Sequence, residues 1–130
     1  MNIRENLKGL QHIGLPTDCF EKTITFYEGL GFVKEYETFL KDLDQRVAFL
    51  QMDNLVLEIY EEKDTVKRAG AIDHFSLDCT DVEKVYGEIK DNGYEIVSKG
   101  IESLPFWENG IKFFIIEGPN KEKIEFCQIL

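Results

Sequence analysis

The chain repeats itself, and the repeat restricts its fold before composition is considered. Its only two histidines occupy one place in two copies of a pattern: His12 in Gly9-Leu10-Gln11-His12-Ile13-Gly14-Leu15, and His74 in Ala71-Ile72-Asp73-His74-Phe75-Ser76-Leu77. Each is followed by a short acidic turn, a stretch with helical spacing, and a Gly-aromatic pair, Gly31-Phe32 or Gly93-Tyr94. The offset is 74 − 12 = 62 for the histidines and 93 − 31 = 62 for the glycines. Such regularity describes a tandem duplication of one small unit. Each copy then places a Glu inside an apolar strand, Glu58 within Leu55–Tyr60 and Glu125 within Lys123–Cys127.

Local signals fill in each copy. A strand is read at Leu10–Leu15, and Asp18 with Glu21 three residues on suits a helix start. Phe20, Ile24, Tyr27 and Leu30 give residues 19–30 an apolar face, and Gly31 suits a left-handed helix end. Strands follow at 32–39, 45–51 and 55–60, between the turn-forming Lys41–Asp44 and Asp53-Asn54. Residues 61–70 are charged and end in Gly70, so they read as a linker. The second copy repeats the order, with a strand at 71–79 and Thr80 and Glu83 at a helix start. Val82, Val85, Tyr86 and Ile89 form that helix's apolar face, Gly93 closes it, and strands follow near 94–98, 111–117 and 123–129. The two Glu positions are 125 − 58 = 67 apart, and the five extra residues are assigned to the loop Gly100–Gly110. The expected fold class is α+β: a single domain over 1–130 made of two tandem βαβββ modules, 8–60 and 71–130, that form a curved mixed sheet.

Strand alternation decides which way the polar residues point. His12 shares a face with Leu10 and Gly14, opposite Ile13 and Leu15. Glu58 shares one with Val56 and Tyr60, opposite Leu57 and Ile59. His74 goes with Ser76 and Asp78, and Glu125 with Cys127. The apolar sides suit packing under the helices, and a sheet curved toward the other side would gather His12, Glu58, His74 and Glu125 into one cup. Two neutral imidazoles and two carboxylates carry a charge of −2, enough to neutralise one divalent cation, and Zn, Ni, Co, Mn and Fe accept such mixed ligands. Without a cation, two carboxylates in a partly desolvated cup repel each other.

The bulk numbers narrow the function. The chain is 43% hydrophobic and has a formal net charge of −10, with no basic cluster, which argues against a grip on nucleic acid. Its apolar runs are too short to span a bilayer, and Met1–Lys8 has no signal-peptide core. Cys19, Cys79 and Cys127 make an odd count without zinc-like spacing, which fits reduced thiols in a cytoplasm. The expected partner is a small-molecule substrate, with neither nucleic acid nor membrane. Tyr60 and Cys127, two residues beyond the Glu positions, line the expected cup. Phe106 and Trp107 beside Pro105 are candidates for a lid, and Arg46 for an anionic group of the substrate.

The doubled β-α-β-β-β order, Phe26-Tyr27-Glu28-Gly29-Leu30-Gly31-Phe32 after His12, and Gly118-Pro119-Asn120-Lys121-Glu122-Lys123-Ile124-Glu125 resemble the vicinal oxygen chelate superfamily. That is the glyoxalase I, bleomycin-resistance and extradiol dioxygenase group, and the similarity runs from about residue 8 to 129. In glyoxalase I relatives the metal ligands are His or Gln, Glu, His and Glu from the first and last strands of each module, and His12, Glu58, His74 and Glu125 match them position by position. The resemblance implies a lyase or isomerase: a substrate with vicinal oxygens chelates one divalent ion, which stabilises an enediolate. A ligand carboxylate acts as base, with Glu125 the first choice and Glu58 the second. It also implies a homodimer. Two features depart from bacterial glyoxalase I. The Arg shortly after the first ligand, used there to hold glutathione, is absent from Ile13-Gly14-Leu15-Pro16. The Asn-bearing segment after the second ligand is replaced by Ile59-Tyr60-Glu61-Glu62. The substrate is therefore left open. An extradiol dioxygenase needs two His, one carboxylate and three open positions, so a fourth ligand argues against it. A metal-free drug-binding protein of the bleomycin-resistance type fits the low pI and the Phe106-Trp107 loop, but leaves the His/Glu quartet without a role.

Overall fold

The computed structural model describes residues 3–130; Met1 and Asn2, part of the N-terminal stretch read above, lie outside the described residues. The chain divides into two compact units with the boundary between Thr65 and Val66. Among the described residues there are two α-helices and nine strands, and the strands form one mixed sheet in each unit.

The first unit runs β1 (Ile13–Thr17), α1 (Phe20–Gly29), β2 (Val33–Leu40), β3 (Gln45–Met52) and β4 (Leu55–Glu61). The sheet order is β1-β4-β3-β2; β1 lies parallel to β4, and the other neighbours are antiparallel. The strand read at 10–15 begins later because its ladder partner, β4, pairs Leu57–Glu61 with Ile13–Thr17. His12 therefore precedes the strand, and Leu10 is exposed. Phe20, Ile24 and Tyr27 are buried, as are Ala48, Leu50, Leu57 and Ile59 of the sheet. Their spacing, three to four along the helix and two along each strand, makes one apolar layer between α1 and the sheet. At the helix start, Cys19 is the cap residue and its side chain makes no capping bond. Thr17 Oγ1 accepts from the Cys19 N–H at 3.0 Å and lies 2.9 Å from Thr23 Oγ1, so these two buried threonines satisfy each other. Gly31 follows the helix at φ +109, the left-handed conformation expected of it.

The second unit runs β5 (His74–Asp78), α2 (Val82–Asp91), β6 (Glu95–Ile96), β7 (Glu102–Leu104), β8 (Ile111–Glu117) and β9 (Lys123–Ile129). The order is β5-β9-β8-β6, with β7 also paired to β8. β5 is shorter than the 71–79 read from sequence because its parallel partner covers only His74–Asp78. β7 lies in the loop that carries the five extra residues. Gly110 (φ +89) turns the chain back; a Cβ there would sit 3.1 Å from the Leu104 carbonyl oxygen, so only glycine fits without a shift. Phe114, Ile116, Ile124 and Phe126 bury against Val82 and Ile89 of α2, with Tyr86 edge-on to Phe114 at 5.1 Å. The cap of α2 is Asp81, one residue beyond the Thr80 read from sequence, and its side chain accepts from the Lys84 N–H at 3.1 Å. Asp81→Ala is expected to cost about 1 kcal/mol, measured by urea denaturation, while the neighbouring Thr80→Ala costs less.

Candidate metal centre

In each unit the sheet register turns a Glu to the face away from the helix, and a His stands beside it. In the first unit, Gly14 of β1 and Phe49 of β3 both lie opposite Glu58 of β4, forming a row across three strands. Leu57 and Ile59, which flank Glu58, point the other way and are buried. His12 brings Nε2 to 3.5 Å from Glu58 Oε1, with its ring edge-on to Phe49 at a centroid distance of 5.8 Å. His12 Nδ1 donates to Gln11 Oε1. In the second unit, Ser76 of β5 and Ile115 of β8 lie opposite Glu125 of β9. His74 Nε2 stands 3.6 Å from Glu125 Oε1, and its Nδ1 donates to Asp73 Oδ2 at 2.9 Å. That hydrogen bond, and then Lys123 with Nζ 3.6 Å from Asp73 Oδ1, hold the Asp73 carboxyl below the usual carboxylate range.

The repeated geometry has a chemical meaning. Carboxylate and amide oxygens only accept, so Gln11 and Asp73 fix the proton of each imidazole on Nδ1. Each Nε2 then presents a lone pair to a carboxylate oxygen at 3.5 and 3.6 Å, beyond a normal hydrogen bond. An Nε2 lone pair facing a carboxylate oxygen calls for a cation between them, either a metal ion or a second proton on the imidazole. Two ligand atoms on one tetrahedral ion, each about 2.1 Å from it, stand about 3.4 Å apart. Both pairs match that separation, so the residues present fit a divalent metal. Among the described residues, no group of three or more His, Cys, Asp or Glu forms an ion site; each unit brings together one pair.

The other residues singled out from sequence divide. Tyr60 lies over Gly14, with its Cε1 3.4 Å and its hydroxyl 3.9 Å from where a Cβ on Gly14 would be. Burial first, then the charges of Glu58 and Glu62, push the Tyr60 hydroxyl above its ordinary pKa. Cys127 lies near the second pair, its Sγ 3.1 Å from Ser76 Oγ. Phe106 and Trp107 stack edge to face at 6.1 Å and are exposed. Trp107 lines a recess of about 540 Å³ with Leu104, Ile111 and Leu130, and neither His74 nor Glu125 takes part in it. Arg46 lies apart from the His12/Glu58 pair. Its position on β3 is out of phase with Phe49, so it faces the helix side rather than the face of Glu58. There its guanidinium pairs with Glu61 and Glu21 and lies 4.6 Å over the Phe20 ring. A recess of about 1020 Å³ has Arg46 in its wall with Phe39, Leu43 and Glu61, and neither His12 nor Glu58 lines it. Gln11, Asp73 and Ser76 were not singled out from sequence. A polar acceptor just before each His in both copies was the available signal.

Tandem βαβ-type units, with a His just before or at the first strand and a Glu in the last, define a protein of the vicinal oxygen chelate class. The chain belongs to the Glyoxalase/Bleomycin resistance protein/Dioxygenase superfamily, whose pattern it matches over residues 9–126. It is 29% identical over 127 residues to an uncharacterized protein of Bacillus subtilis strain 168, YwbC, covering 93% of this chain and 98% of that one. Among solved structures, SMU.1112c superposes with a TM-score of 0.78 at 20% identity, over 94% of this chain and 99% of that one. A glyoxalase family protein from Enterococcus faecalis gives 0.77 at 20%, covering 92% and 97%. The fosfomycin resistance protein FosX from Listeria monocytogenes, complexed with Mn(II) and sulfate, gives 0.73 at 17%, covering 95% and 94%. No helix of the described residues is long and apolar enough to cross a membrane.

Proposed function

We propose that the chain is a metal-dependent lyase or isomerase of the glyoxalase I kind, acting on a small substrate with two neighbouring oxygens. His12, Glu58, His74 and Glu125 are its metal ligands. The observation that carries this reading is the Nε2 of each imidazole held 3.5 and 3.6 Å from a carboxylate oxygen, in both copies of the repeat. Each pair supplies two ligands, fewer than a Zn, Ni, Co, Mn or Fe ion takes, so both pairs are assigned to one ion, drawn from one chain or from two. The Mn(II) in the FosX structure supports a divalent ion on this fold.

When bound, the ion supplies Lewis-acid polarisation of the substrate oxygens. The chain supplies the rest. Gln11 and Asp73 orient the imidazoles, and a carboxylate of the quartet takes the proton from the carbon next to the substrate carbonyl and returns it to the neighbouring carbon. Tyr60 and Cys127 wall the substrate, and Phe106 and Trp107 are proposed to close over it. Association as a homodimer belongs to the same proposal.

The test is proton exchange. Protein stripped with chelator and reloaded with each of the five metals is incubated in D2O with hemithioacetals and α-hydroxyketones. Metal-dependent deuterium at the carbon next to the carbonyl is expected. Ligand binding that needs no metal, with no exchange, would instead support sequestration of the bleomycin-resistance type.

A further inference from the structure

The two modules treat their carboxylates differently. Ser76 and Gly14 are equivalent: 76 − 14 = 62, and each lies directly opposite the Glu of its unit. Ser76 Oγ donates to Glu125 Oε2 at 2.7 Å, while Oε1 of the same carboxylate faces His74. One oxygen is anchored to the sheet and the other is left for an ion. Ser76 Oγ also lies 3.1 Å from Cys127 Sγ. A hydroxyl has one proton, and the carboxylate is the stronger acceptor, so that proton goes to Glu125 in preference to the Cys127 sulfur. In the first unit, Gly14 supplies no side chain. A Cβ there would lie 3.7 Å from Glu58 Oε1, so a serine at this position would be within reach of the carboxylate. Glu58 is also the more exposed side chain, at 29% against 15% for Glu125.

From this we infer that Ser76 is a positioning residue that holds Glu125 as a fixed ligand, leaving Glu58 as the releasable one. The inference rests on the metal reading above and reverses the choice of base that the family resemblance implies: the carboxylate able to turn away from the ion and accept a proton is Glu58. Glu125 cannot turn Oε1 away from the ion without Oε2 breaking a charge-assisted hydrogen bond, whereas Glu58 breaks none from its neighbouring strand.

Calorimetric titration with Mn2+ tests this without any substrate. The wild type, Ser76→Ala, Ser76→Thr, Gly14→Ser, Glu58→Gln and Glu125→Gln are compared, with circular dichroism confirming that each is folded. Ser76→Ala is expected to weaken binding by about 10-fold or more, the usual effect of losing a partner behind a ligand. Ser76→Thr, which keeps the hydroxyl, should restore it. Glu125→Gln should weaken binding more than Glu58→Gln, and Gly14→Ser should tighten it by giving Glu58 an anchor. The inference is overturned if Ser76→Ala binds Mn2+ like the wild type, or if Glu58→Gln costs as much as Glu125→Gln. Failure of the wild type itself to bind Mn2+ or any other divalent ion would overturn the metal reading instead.

Discussion

Replacing His74 by alanine is expected to remove divalent-metal binding while leaving the fold in place. The imidazole sits at the first residue of β5, with its side chain 37% exposed, so its loss opens no cavity in the core. The backbone ladder from His74–Asp78 to Lys123–Cys127 does not depend on it. Removing a ligand should exceed the cost of removing a partner behind one, which is about 10–100-fold in affinity. Asp73→Ala should fall inside that range, because Asp73 fixes the imidazole but does not touch the ion. Titration of both variants gives the ranking, and equal losses would contradict the division between ligand and orienting residue. His12→Ala and Gln11→Ala should repeat the pattern in the first unit.

The second large effect is on stability. Phe114 is fully buried, stacked on Phe126 at 4.9 Å and edge-on to Tyr86 at 5.1 Å. Phe114→Ala leaves a cavity between α2 and the sheet and is expected to cost about 3–5 kcal/mol. A small domain has only about 5–15 kcal/mol in total, so the variant should lose much of its denaturation midpoint. Phe113, its neighbour on β8, points the other way and is half-buried. Phe113→Ala should therefore cost clearly less. A reversed order, measured by guanidinium denaturation, would show that the strand's faces are assigned wrongly.

The architecture was legible because period two and period 3.6 dominate this sequence. Leu57 and Ile59 around Glu58, and Ile124 and Phe126 around Glu125, leave each carboxylate only one face to occupy, and both occupy it. What escaped depends on pairing partners. Nothing in Leu10-Gln11-His12 shows that β4 offers a ladder only from Ile13 onward. β7 is three residues long, and Pro105, Glu108 and Asn109 beside it make the segment read as a loop. For Arg46 the phase along β3 decides: the alternation that puts Phe49 beside Glu58 sends Arg46 to the helix side, where Glu21, Glu61 and Phe20 occupy it. The role of Ser76 needed coordinates, since sharing a face with His74 does not reveal a hydrogen bond to Glu125.

The proposed chemistry depends on where one ion sits. Crystals of the Mn2+-loaded protein, measured at a wavelength where manganese scatters anomalously, would locate it directly. The account expects one peak per chain, about 2.0–2.3 Å from His12 Nε2, His74 Nε2 and an oxygen of Glu58 and of Glu125, whether these come from one chain or two. Peaks elsewhere, or clear density for all four side chains with no ion among them, would contradict it.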